Sequence, residues 1–81
     1  MMNTMPLSCI PIGTSGEIVA IKSGFKNRSR LIELGFTQNT EVIPLHTGPG
    51  GDPTAYFVRG AVMALRNEDA DNIFIRVKEE Y

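Results

Sequence analysis

The sequence predicts a mainly β fold: a small, strongly bent barrel of about five strands, with one short inserted helix and a C-terminal helical turn. Three observations carry this. Short runs rich in β-branched and aromatic residues recur along the chain, each bounded by glycine, proline or asparagine. Helical spacing followed by a glycine stop appears at one place, Leu31 to Gly35. At 81 residues the chain can bury roughly two-thirds of its unfolded surface around one thin core. Closing the sheet is how so short an all-β chain hides its edges.

Residues 1–5 read as a flexible leader and 6–81 as a single domain, with Met1, Met2 and Met5 as alternative starts. Positions 8–10 fit either one helical turn capped by Ser8 or an extended lead-in. The first clear strand is 17–22, between Gly16 and Gly24, with Val19 and Ile21 on one face and Ile18 and Ala20 on the other. Asn27 and Ser29 are candidate caps for a helix that ends at Leu34. Leu31 and Leu34 share its apolar face, and Ile32 lies at the edge. Gly35 then supplies a positive φ, and Phe36 folds back on Leu31 or Ile32.

The next strand, 41–46, contains Pro44, which lacks an N–H for the ladder and places the strand at a sheet edge or at a bulge. Positions 47–53 hold three glycines and two prolines and read as the most mobile loop. A strand over 54–59 sets Tyr56 and Val58 opposite Ala55 and Phe57, with Phe57 the expected core residue. Arg59-Gly60-Ala61 turns the chain into a strand over 62–66. Positions 67–70 form a helical turn with Asn67 as its cap and acids near the positive end of its dipole. The last strand alternates strictly: Ile73, Ile75 and Val77 inward, Phe74, Arg76 and Lys78 outward.

Eight basic and nine acidic residues leave a formal charge of −1, which argues against a general nucleic-acid binder. A single cysteine, Cys9, rules out an internal disulfide. No apolar run approaches the ~20 residues needed to span a bilayer and no signal peptide is visible, so a cytoplasmic protein is expected.

The inventory for catalysis is poor, and no enzyme is expected. Cys9 and the single histidine, His46, lie far apart in sequence and lack a third orienting group. Cys9 reads as a small buried apolar residue and His46 as an exposed strand-end residue. Zinc wants about four Cys or His ligands, and the chain has two. The weaker metal candidates are His46 with Asp52, as a loose ferrous or manganous site. Glu68, Asp69 and Asp71 read as a solvated turn with helix-capping acids. The 48–51 loop lacks the ending of a phosphate cradle. Local charge says more: Lys22, Lys26, Arg28 and Arg30 form a basic patch with no acid among them. It is either a solvated helix face or a docking surface for an acidic protein face or anionic headgroups.

The chain resembles the FeoA family, the small cytosolic partners of the ferrous-iron transporter FeoB. The residues that carry the resemblance are Ile12-Gly13, Arg30-Leu31-Ile32-Glu33-Leu34-Gly35-Phe36-Thr37 and Thr40-Glu41-Val42. They continue with Gly51-Asp52-Pro53, Arg59-Gly60, Ala64-Leu65-Arg66, Ala70 and the final strand from Ile73 to Val77. Each piece is weak alone, and the ordered set is fairly specific. The resemblance implies an SH3-like barrel with a helix inserted between early strands. It also implies a regulatory or assembly role in bacterial ferrous-iron uptake, through protein–protein contact with FeoB at the cytoplasmic membrane face. The same domain shape occurs at the C-terminus of metal-responsive repressors, after a helix-turn-helix domain for which this chain has no room.

The expected contact surface is Lys26, Arg28 and Arg30 together with the glycine-rich loop, in particular Gly50, Gly51 and Asp52. No resident cofactor is expected, with weak Fe(II) binding at His46 and Asp52 as the alternative, and the oligomeric state is open. The runner-up function is a regulatory or nucleic-acid-binding barrel, with Tyr56, Phe57 and Phe74 as stacking aromatics.

Overall fold

The β-branched runs pair into one antiparallel sheet, seen in a computed structural model that describes residues 4–78. Its strands are Thr4–Pro6 (β1), Gly16–Ile21 (β2), Glu41–Thr47 (β3), Thr54–Val58 (β4), Ala61–Leu65 (β5) and Ile73–Val77 (β6). The helices are Arg28–Glu33 (α1) and Asn67–Ala70 (α2), with 3-10 turns at Leu7–Cys9 and Pro49–Gly51. The sheet order is β1-β6-β2-β3-β4-β5. The sheet curls: Leu7 and Ile10, just after β1, and Leu65, on β5 at the other edge, belong to the same buried cluster.

Six strands stand where about five were expected. Positions 1–3 of the expected leader lie outside the described residues. Of its other two residues, Thr4 and Met5, the structure shows pairing with Arg76 and Ile75 of β6. Three residues ending in proline show no alternation, so this strand exists because β6 offers it an open ladder.

Two bulges bend the sheet. The register of β2 on β6 slips between Ile18 and Ala20. That extra residue turns both Ile18 and Ile21 inward, although simple alternation puts them on opposite faces. The register of β3 on β4 slips between Pro44 and His46. Both places expected for Pro44 are met: β3 lies between β2 and β4 in the order, but its register with β2 covers only Glu41 and Val42, so Pro44 is paired with β4 alone and stands beside the slip.

The core comprises Ile18, Leu31, Phe36, Val42, Tyr56, Val58, Ile73 and Ile75, each at most 1% exposed, with further residues around them. Phe36 meets Tyr56 edge-on, with ring centroids 6.5 Å apart and planes at 89°. The pleat of β4 is as expected but its sidedness is reversed for the aromatics: Tyr56 is buried and Phe57 is 41% exposed. The β6 alternation holds, with Ile73 and Ile75 fully buried.

Candidate functional site

The site is built around α1. Its C-terminus closes as the glycine stop requires. The Gly35 N–H donates to the Ile32 carbonyl and the Phe36 N–H to the Leu31 carbonyl, each at 3.0 Å. This paired closure needs a left-handed residue, and Gly35 has φ +112°. Phe36 is thereby returned to the core beside Leu31. The sequence did not show why the residue must also be small. A Cβ at Gly35 would lie 2.9 Å from Arg59 Cδ, so the arginine stem packs across the glycine.

At the other end, Asn27 occupies the cap position, but its side chain makes no capping hydrogen bond. Asn27 Nδ2 instead donates to Asp69 Oδ1 at 2.9 Å, and Arg30 Nη2 reaches Asp69 Oδ2 at 3.2 Å. The expectation that 68–71 is a solvated acidic turn therefore fails at Asp69, which is only 4% exposed. Its carboxylate is buried because it has these donors, and among the described residues no buried side-chain polar atom is left without a partner.

The short helix α2 is a hub. Asp69 holds α1. Two residues earlier, the Asn67 N–H donates to Asp52 Oδ1 (2.9 Å) and Asn67 Nδ2 to the Gly51 carbonyl (2.8 Å). Two residues later, at the C-cap, Asp71 accepts a hydrogen bond from Ser8 Oγ. Asn67, expected as the cap, is the first helical residue, and Arg66 takes the cap position without a side-chain bond. Asp52, from a separate loop, supplies the missing acceptor. The loop expected as the most mobile is braced there and by a Gly48 N–H to Pro53 carbonyl bond of 2.8 Å.

The structure thus links both halves of the expected contact surface through α2. Lys26 and Arg28 are exposed, and no ion pair engages them among the described residues. Arg30 is more than half exposed yet is tied to Asp69. Gly50 and Asp52 are exposed, and Gly51 is half-buried under Asn67. Beside this patch an open groove of about 240 Å³ runs between β2 and α1. Ile18, Ile21, Ile32 and Phe36 give it an apolar floor, while Arg28, Thr37 and Gln38 form its polar rim. No motif announced this groove, because the β2 bulge and the Phe36 return create it jointly.

The remaining expectations divide. Cys9 is exposed, not buried, because the 3-10 turn directs Leu7 into the core and leaves Cys9 outside. His46 is exposed on β3 beyond the bulge, as expected. Among the described residues no three His, Cys, Asp or Glu side chains gather as a metal site. Asp52 already serves Asn67. Tyr56, one of the stacking candidates, is buried at 1% exposure and offers no face to a base. No helix among the described residues is long and apolar enough to cross a membrane.

No curated protein matches the chain. Among solved structures, a FeoA-like protein from Clostridium acetobutylicum superposes with a TM-score of 0.91 at 27% identity, covering 100% of this chain and 94% of that one. FeoA from Stenotrophomonas maltophilia, solved in complex with zinc and described as an SH3-domain protein, gives a TM-score of 0.77 at 33% identity over 88% of both chains. A manganese-dependent transcriptional repressor shares the fold alone: TM-score 0.85 at 13% identity, over 96% of this chain and 44% of its own. The model of the FeoA domain matches residues 5–77, from β1 to the end of β6. An SH3-like barrel matched over this span leaves one conclusion: the chain belongs to the FeoA family.

Proposed function

We propose that the chain is a non-catalytic accessory protein of bacterial ferrous-iron uptake, acting in the cytoplasm by contact with a FeoB-type transporter. Membership of the FeoA family supports the process, and the Stenotrophomonas relative is described as a candidate ferrous iron transport activating factor. The observation that carries the contact is the groove between β2 and α1, rimmed by Arg28, with the exposed Lys26 two positions earlier in the chain. Val19, Ala20 and Ile32 are the apolar lining residues still open to water, and covering them would supply affinity, while Arg28 and Lys26, with no ion pair among the described residues, would steer an acidic partner into register. Gly50, Gly51 and Asp52 extend the surface through α2.

The test is binding of the K26E/R28E double variant to the soluble GTPase region of the cognate transporter. Both side chains are exposed and outside the internal hydrogen-bond network, so circular dichroism and melting temperature should be unchanged. Affinity is expected to fall at least about tenfold at low salt, with a smaller difference at high salt. Equal affinity of the two proteins would remove this face as the interface.

A further inference from the structure

The two edges of the sheet are built differently. The β1 edge is three residues long and ends in Pro6, features that blunt unwanted pairing. The β5 edge has neither safeguard. Its residues Ala61-Val62-Met63-Ala64-Leu65 carry no charge and no proline, and β5 pairs with β4 without a register slip. As the last strand in the order, β5 has β4 on one side only, and alternate residues turn their N–H and C=O groups outward. The outer face beside it is apolar. Ile43, Phe57 and Val62 lie in one row across β3, β4 and β5, with Phe57 41% and Val62 60% exposed.

Charge selects the occupant of this edge. Arg59 and Arg66 flank β5, are exposed, and have no carboxylate partner among the described residues. No acidic residue lies anywhere from 53 to 66. A second copy fits poorly. Antiparallel pairing of β5 with itself about Met63 would set Arg66 of one copy opposite Gly60 of the other and next to its Arg59.

We propose that the β5 edge binds an extended segment of a partner protein by strand addition, a segment with apolar residues at alternate positions and acidic residues at its ends. The outward backbone groups of β5 supply the ladder. Val62 and Phe57 meet the apolar side chains, and Arg59 and Arg66 meet the acids. No residue of β5 lines the α1 groove, although the Arg59 stem reaches Gly35 at the end of α1, and the proposal does not depend on the groove assignment.

The probe is a capped nine-residue peptide of alternating valine and threonine with glutamates at both ends, titrated into the isotope-labelled full chain. Saturable amide shifts over 61–65 are expected, with slowed amide exchange there and affinity that weakens with salt. The same peptide with lysine ends should bind at least about tenfold more weakly. Val62→Lys places a charge on the exposed outer face and should abolish binding with the melting temperature unchanged. Arg66→Glu should narrow the difference between the two peptides. Absence of saturable shifts, indifference to the end charges, or shifts in the α1 groove instead would each overturn the proposal. Concentration-dependent shifts over 61–65 without peptide would overturn it in favour of a second copy.

Discussion

Replacing Gly35 with alanine tests the joint between helix and barrel. Two effects add. The residue has φ +112°, where an L side chain is strained by about 1–3 kcal/mol. The new Cβ would stand 2.9 Å from Arg59 Cδ, so that side chain must leave its rotamer, at about 0.5–1.5 kcal/mol. Together they amount to roughly 3 kcal/mol, a large part of the ~4–12 kcal/mol available to a domain of this size. Urea unfolding should register the loss directly, and the melting temperature should fall by roughly 12–24 °C. The pair G35A/R59A separates the effects. Compared with Arg59→Ala, adding Gly35→Ala should still remove the backbone share, while the steric share disappears. A Gly35→Ala variant within about 0.5 kcal/mol of the parent would mean that neither the left-handed closure nor the arginine stem constrains the position.

Other expectations follow from the α2 hub and the core. Asp69→Ala leaves the Asn27 and Arg30 donors without their acceptor and should lower stability by about 1–3 kcal/mol in urea unfolding, with Asp69→Asn retaining part of it. Asp52→Ala removes the acceptor for the first N–H of α2 and should lower stability by about 1 kcal/mol, with loss of amide protection at Asn67. Burial pushes the Tyr56 hydroxyl above its ordinary value, assisted by the charges of Asp71 and Asp52 and opposed by a hydrogen bond with Thr54. The unfolded chain therefore releases this proton first. Stability is complete below about pH 10 and falls as pH rises from there through the raised value, a decline that Tyr56→Phe should flatten in pH-dependent urea unfolding.

Much of the fold was readable because it is written in local chemistry. The Leu31, Leu34, Gly35, Phe36 sequence states a helix, its stop and its return to the core, and each was found in place. The alternation of β6 was equally plain. What escaped was set by distant partners. β1 is a strand only because β6 leaves an edge beside it, and a proline-ended triplet carries no signal of that. The β2 bulge reassigns Ile18 and Ile21 to one face, which breaks the alternation used to place them. Tyr56 and Phe57 are adjacent aromatics, so burial of one was legible and its identity was not. Asp69 looked like an ordinary capping acid, because the donors that bury it sit about forty positions earlier in the chain. The basic residues of the candidate surface were visible from sequence, whereas the groove they border forms only on folding.

In the proposed function, the α1 face is where this FeoA-family chain meets a FeoB-type transporter. The most direct measurement is a titration of the labelled chain with the soluble GTPase region of the cognate FeoB-type transporter, with and without nucleotide. Saturable shifts are expected at Lys26, Arg28, Ile32 and Gln38, extending to Gly50 and Gly51 and weakening with salt. Saturable binding whose shifts leave this face untouched, or no binding in either nucleotide state, would contradict this proposal.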